Sequence, residues 1–168
     1  MAKPNPLPPL DELNDHLDYD PETGLFTRKK FVYGTAGVGS IAGSLYRGYL
    51  FIRINGKKYR AHRLAYKMYY GLDPVDMIDH IDMDRSNNRI ANLRDATNVQ
   101  NLRNTGPRKT NTSGFKGVCW YSGRKRWRAR ITYNEKNIHL GYYKTKEEAA
   151  LAYAKAAKEY YGEFARTE

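Results

Sequence analysis

A single cysteine, Cys119, is all that 168 residues contain. That excludes an internal disulfide and any zinc site built from several thiolates, so no structural zinc is expected. The lone thiol fits a reducing, intracellular compartment. Long apolar runs are missing as well. None approaches the roughly 18 residues of a membrane span, and the N-terminus lacks the apolar core of a signal peptide, so no membrane partner is expected. Acidic residues are scarce against basic ones, 18 Asp+Glu to 29 Lys+Arg, which leaves a net charge of +11 and a pI near 9.7. Such a chain suits a polyanionic partner, because Lys and Arg on phosphates release condensed counterions. A high pI also serves solubility alone, but here the excess is uneven. Residues 1–106 carry 15 Lys+Arg against 12 Asp+Glu, and residues 107–168 carry 14 against 6.

Fifteen tyrosines are present, rings that suit both a small core and a nucleic-acid surface. Met1 to Pro9 holds four prolines and reads as a loose arm. Leu10, Leu13 and Leu17 follow at helical spacing. Asp20 to Gly24 is a turn, Leu25 starts a strand, and the glycine-rich stretch Gly34 to Gly43 is a loop. Leu50, Ile52 and Ile54 alternate with Tyr49, Phe51 and Arg53. Asn55-Gly56 then predicts a tight hairpin into Lys57 to Arg60. His62 to Tyr70 reads as a short helix stopped by Gly71. Met77 to Asp82 and Leu93 to Ala96 are strand candidates. Thr97 and Gln100 have capping-box spacing for a helix carrying Asn101. Asn104 to Thr112 reads as a linker. Beyond it, three short strands (Gly117–Trp120, Trp127–Tyr133, Asn137–Tyr142) precede a helix from Thr145 to Gly162. That helix has its own capping box in Thr145 and Glu148, and a stripe of Ala149, Tyr153, Ala156 and Tyr160.

The segment from Asp79 to Leu93 concentrates the chemistry. It sets a carboxylate beside an imidazole, with an amide twelve positions past the His and another nine further on. Phosphodiester hydrolysis needs a nucleophile made from water and neutralisation of charge on phosphate and leaving oxygen. His80, with an unperturbed pKa of about 6.5, is the candidate base. Asn92 is the candidate for fixing the imidazole tautomer, or for bracing the backbone that positions the ring. Asp79 and Asn101 offer oxygen ligands, which favour Mg²⁺ or Mn²⁺. Asp79 and His80 are adjacent, however, and in a regular strand they face opposite sides. A shared site therefore needs a bend, a strand end, or approach from two flanks. His62 and Arg63 are candidate phosphate contacts.

Ile78 to Asn101, with His62-Arg63-Leu64 upstream and Asn87-Asn88-Arg89-Ile90-Ala91-Asn92-Leu93-Arg94 within it, resembles the HNH nucleases of the phage and intron-encoded homing type. The resemblance implies an α+β chain with a ββα-metal (His-Me finger) nuclease fold and one divalent cation. It makes Asp79 and Asn101 metal ligands, His80 the general base and Asn92 its orienting partner, and implies 5′-phosphate and 3′-hydroxyl ends.

In the second part, Arg128, Arg130 and Thr132 fall on one face of a strand while Ala129 and Ile131 fall on the other. A basic sheet with a helix behind it fits a major groove, where Arg reads guanine. Lys116, Arg124, Lys125, Arg126 and Lys136 surround it as candidate phosphate contacts, and Tyr121, Trp120 and His139 as candidates for sugar or base edges. Ser113 to Val118, Trp127 to Ile131, His139 to Tyr143 and Glu147 to Tyr153 resemble the AP-two domain, which implies DNA reading by a three-stranded antiparallel sheet packed on one helix. Cys119 and Tyr121 stand where plant members have arginines, so the plant target does not transfer.

The expected organisation is a nuclease domain at 1–106, a linker at 107–112 and a DNA-binding domain at 113–168. The expected function is metal-dependent cleavage of double-stranded DNA by a monomer or weak dimer, as in a phage protein acting in the host cytoplasm. The alternative is a non-catalytic DNA-binding regulator with a vestigial nuclease fold.

Overall fold

The computed structural model describes residues 5–31, 34 and 37–166. It is a mixed α+β chain whose strand pairs are all antiparallel among the described residues. It divides into two compact units, Met1–Thr97 and Asn98–Glu168.

In the N-terminal unit, α1 (Leu10–His16) runs directly into β1 (Leu17–Asp20), which pairs with β2 (Leu25–Arg28). Leu17 thus belongs to a strand rather than to the helix its spacing predicts, and β1 itself has no sequence signature. Both leucines still reach the core, with Leu13 and Leu17 buried against Phe26. The expected loose arm lies partly outside the described residues. Of the rest, Leu7 packs on the core and Pro8 is buried, so the segment is tied down from Leu7.

The hairpin at Asn55-Gly56 forms as predicted, joining β4 (Tyr49–Ile54) to β5 (Lys57–Arg60), with β3 (Ser44–Tyr46) on the other edge of β4. Ile52 and Ile54 point into the core and Arg53 points out, as period-two alternation requires. Next comes α2 (Ala61–Tyr70), ended by Gly71 in the left-handed conformation. Its Leu64 and Ala65 are fully buried on the same core. The last pair, β6 (Met77–His80) with β7 (Leu93–Ala96), carries Ile78 and Leu93 into that core. Buried apolar side chains of this size stabilise by about 1.5–3 kcal/mol each, which fixes the ribbon that holds the polar residues.

The C-terminal unit opens with α3 (Asn98–Asn104). The sheet order is β10 (Lys136–Tyr143), β9 (Arg126–Tyr133), β8 (Val118–Tyr121), and α4 (Lys146–Tyr161) packs behind it. The Thr145/Glu148 capping box is present in both directions. Ala149, Tyr153 and Ala156 are buried, as the predicted stripe requires, with Ala157 added and Tyr160 only half-buried. Small residues let the helix sit close to the sheet. The tightest approach is at Gly117 (φ +73), where a β-carbon would lie 2.2 Å from the Tyr153 ring and 2.6 Å from the Arg130 carbonyl oxygen.

The compact units part after Thr97, ahead of the expected linker. The Lys116 ammonium donates to the carbonyls of Arg103 (2.6 Å) and Thr105 (2.7 Å) at the end of α3, and Arg103 lies over the Tyr133 and Tyr161 rings. Asn111, inside the expected linker, is also bound into this unit: its Oδ1 accepts from the Ser113 and Gly114 amides and its Nδ2 donates to Phe115 O.

Candidate active site and DNA-binding face

His80 is the last residue of β6, and that position answers the adjacency problem. The chain turns at once, with the Met83 amide donating to His80 O (3.0 Å) and Met83 taking a left-handed φ of 65°. Asp79 and His80 are each 5% exposed, although neighbours in a strand diverge. Asp79 pairs with Arg94, which stands opposite it in the ladder. The guanidinium donates from Nε (3.1 Å) and Nη2 (2.9 Å) to Asp79 Oδ2. A buried carboxylate needs such a counter-charge.

Asn92 bonds to the loop backbone and to Asp82. Its Oδ1 accepts from the Asp82 amide (3.0 Å), and its Nδ2 donates to Asp82 Oδ1 and to Asn87 O (both 2.9 Å). Its own carbonyl receives the Ile81 amide. Asn92 thus staples the loop that follows His80. The side chain that meets the imidazole is Asn88, which is 1% exposed. Its Nδ2 donates to Ser86 O (2.8 Å), while its Oδ1 is buried with no hydrogen-bond partner among the described residues. Burial pushes the His80 pKa below the ordinary histidine value, while the Asn88 amide and the carboxylates of Asp82, Asp79 and Asp84 draw it back up. The imidazole is therefore neutral near pH 7, the form that accepts a proton.

Asn88 is itself held from far away in sequence. Its carbonyl accepts from Tyr19 Oη (2.7 Å), and the Ile90 amide donates to Pro21 O (3.1 Å). At Gly24 (φ +73) a β-carbon would stand 2.5 Å from Arg89 N and 2.6 Å from Asn88 C. The β1–β2 hairpin thus presses directly on the backbone of the residue that faces His80. Asn88 sits in the motif with nothing in the sequence to distinguish it, because Asn is common in loops and its tether lies 69 positions away.

Of the two expected phosphate contacts, one is buried and the other half-buried. His62 is 3% exposed and stands edge-on to His80, with ring centroids 4.9 Å apart at 84°. Its Nδ1 is buried with no hydrogen-bond partner among the described residues. Burial, then the His80, Arg60 and Arg63 charges, drive its pKa well down, so it offers phosphate no charge. Arg63 is half-buried, and its Nε likewise has no partner.

Asn101 lies in α3 and so belongs to the C-terminal unit, whereas Asp79, His80, Asn88 and Asn92 belong to the N-terminal one. Among the described residues no group of three or more His, Cys, Asp or Glu could hold a metal ion. The Asp79 carboxylate suits a hard cation by donor type, and such an ion would share it with Arg94.

On the C-terminal sheet, Ala129 and Ile131 are buried while Arg126, Arg130 and Thr132 are exposed. Arg128, expected on the same outward face, is half-buried. A bulge between His139 and Gly141 shifts the register so that Tyr142 lies opposite Arg128 and His139 opposite Arg130. Arg128 donates to Cys119 Sγ (3.5 Å) and lies over Tyr121, and Arg124 lies over Tyr142. Lys125, Lys136 and His139 are exposed. Lys116 departs from its expected role as a phosphate contact. It is half-buried beneath α3, and burial with the nearby Arg166 charge lowers its pKa to about 8.

Comparison with known proteins agrees with both halves of this picture. Residues 59–103 match the HNH endonuclease family model and residues 113–163 the AP2 domain model. Protein 3.8 of Escherichia phage T7 is 37% identical over 89 residues, covering 53% of this chain and 73% of that protein. The chain belongs to the HNH endonuclease family. An uncharacterized HNH endonuclease of Acanthamoeba polyphaga mimivirus is 36% identical over 110 residues, 64% of this HNH chain and 56% of its relative. Among solved structures, the HNH homing endonuclease I-HmuI, described with its DNA binding and cleavage, aligns over 87% of this chain and 85% of its own, at 17% identity and a TM-score of 0.40. No helix among the described residues is long and apolar enough to cross a membrane.

Proposed function

We propose that this HNH protein is a metal-dependent DNA endonuclease, with residues 1–106 cutting and residues 113–168 supplying affinity and site choice. One observation carries the reading: His80 is buried at the end of a strand whose preceding residue is a buried carboxylate, and Asn88 is buried in the loop that follows. The imidazole takes a proton from water, and the resulting hydroxide attacks phosphorus as the 3′ oxygen leaves. Asn88 keeps the ring oriented, and Asn92 keeps the loop from drifting away from it. Asp79 would hold Mg²⁺ or Mn²⁺. Such an ion supplies neutralisation of charge on phosphate and leaving oxygen.

The exposed arginine face, with its AP2 match, supports duplex DNA as the substrate. The rival, a non-catalytic regulator, draws on the Asp79–Arg94 pair, which already neutralises the carboxylate. Supercoiled plasmid incubated with the protein and Mg²⁺ separates the two. We expect nicking or linearisation that chelator abolishes. A wild-type protein inert across several divalent metals yet still binding DNA would establish the regulator.

A further inference from the structure

We propose that Arg60 and Arg85, seated on the Tyr49 ring, form a clamp for the DNA phosphate backbone beside His80. Arg60 is the last residue of β5 and Arg85 lies in the loop after His80, yet both converge on one aromatic ring. Their guanidinium carbons lie 4.8 and 4.9 Å from the Tyr49 centroid. That ring stands 6.2 Å from the His80 ring and 5.6 Å from His62. The Arg85 stem also passes close to Gly48, where a β-carbon would be 3.8 Å from its Cδ.

Both arginines are exposed, and neither forms an ion pair among the described residues. Two like charges gathered on one ring repel each other. The ring's negative face offsets only part of that repulsion, so the arrangement calls for an anion. The carboxylates nearest in sequence are engaged: Asp82 with Asn87 and Asn92, Asp84 with Ser86. A phosphodiester meets the need, since guanidinium matches phosphate oxygens with paired donors. Tyr49 acts as the pedestal, a positioning residue that fixes both arginines at the mouth of the site.

This inference rests on the nuclease reading, and its test is built to fail separately. Duplex binding is measured on the full chain with a His80→Ala background, as a function of salt. Cleavage is measured in the otherwise wild-type chain. Arg60→Gln and Arg85→Gln should each flatten the slope of log K against log salt by about 0.9, the effect of one lost phosphate contact. Each should also slow cleavage by roughly ten- to a hundred-fold, the value of one charged hydrogen bond. Tyr49→Phe, which keeps the ring, should match wild type, and Tyr49→Leu should mimic the arginine variants.

If the double variant leaves slope and rate untouched while His80→Ala abolishes cutting, the clamp is wrong and the nuclease stands. A flattened slope in a protein that never cuts leaves the clamp standing and removes the nuclease. Wild-type behaviour of Tyr49→Leu overturns the pedestal.

Discussion

The two units place their polar chemistry in opposite ways. In the N-terminal unit Asp79, His80 and Asn88 are buried within a shell of aromatic rings and short loops. In the C-terminal unit the core is plain, with Ala129, Ile131, Ala149 and Tyr153 inside and Arg126, Arg130 and His139 in solvent. Burial shifts the protonation of His80 and holds it still, which is what a general base requires. Exposure keeps guanidinium groups charged and free to meet phosphates and base edges, which is what recognition requires. The difference teaches that one basic chain separates chemistry from affinity by solvent access.

The sharpest way to break this contrast is to damage one unit and read the other's function. His80→Ala should lower the cleavage rate by about 10²–10⁴, the usual range for a lost general base, with DNA affinity unchanged in a band-shift titration. Arg126→Ala with Arg130→Ala should do the reverse. The salt slope should flatten by about 1.8 for two lost phosphate contacts, while the cutting rate at saturating protein holds. If the arginine pair slows cutting at saturation, or His80→Ala weakens binding, the division by solvent access fails.

A second test concerns the hairpin that presses on the site. Gly24→Ala sets a β-carbon against backbone atoms of Asn88 and Arg89 at a left-handed φ. Left-handed strain of about 1–2 kcal/mol and overpacking of about 1–3 kcal/mol should both fall on the N-terminal unit. Both tryptophans, Trp120 and Trp127, lie in the C-terminal unit, so their fluorescence melt should not move while the far-UV transition of the first unit drops. Cleavage should fall with it. An unchanged cleavage rate would show that the hairpin does not position Asn88.

Much of the scaffold is legible from local signals. Asn55-Gly56 dictates a hairpin because both residues accept positive φ, and they adopt 45° and 78°. Thr145 and Glu148 announce the start of α4 because a capping box is built within four residues. What stays hidden depends on partners remote in sequence. Asn88 is set by Tyr19 and Gly24, Arg60 and Arg85 meet only on Tyr49, and the β1 strand exists because β2 pairs with it. The motif indicates the neighbourhood of the site, and the residues around His80 are chosen by packing that periodicity does not encode.

Asn88 against Asn92 refines the comparison inside the first unit. Asn88→Ala removes the buried amide beside the imidazole and should slow cleavage roughly tenfold, the value of about 1.5 kcal/mol, with little change in KM. Asn92→Ala frees three hydrogen bonds of the loop. It should lower thermal stability together with rate. Equal melting temperatures for the two variants would erase the distinction between holding the ring and holding the loop.

The smallest effect lies in the second unit, at the half-buried Lys116. Lys116 titrates at about 8 against 10.5 for a free side chain, so between those values the unfolded chain binds more protons than the folded one. Stability of the C-terminal unit should therefore rise with pH over that window, because raising pH removes a proton that burial disfavours. Lys116→Met should flatten the rise between pH 7 and about 9.5, below the roughly pH 10 range where tyrosines ionise, in melts followed by Trp120 and Trp127. The carbonyls of Arg103 and Thr105 pull the other way by stabilising the ammonium. A wild-type slope no steeper than the variant's would mean that those carbonyls outweigh burial, and that Lys116 stays charged as a cap for α3.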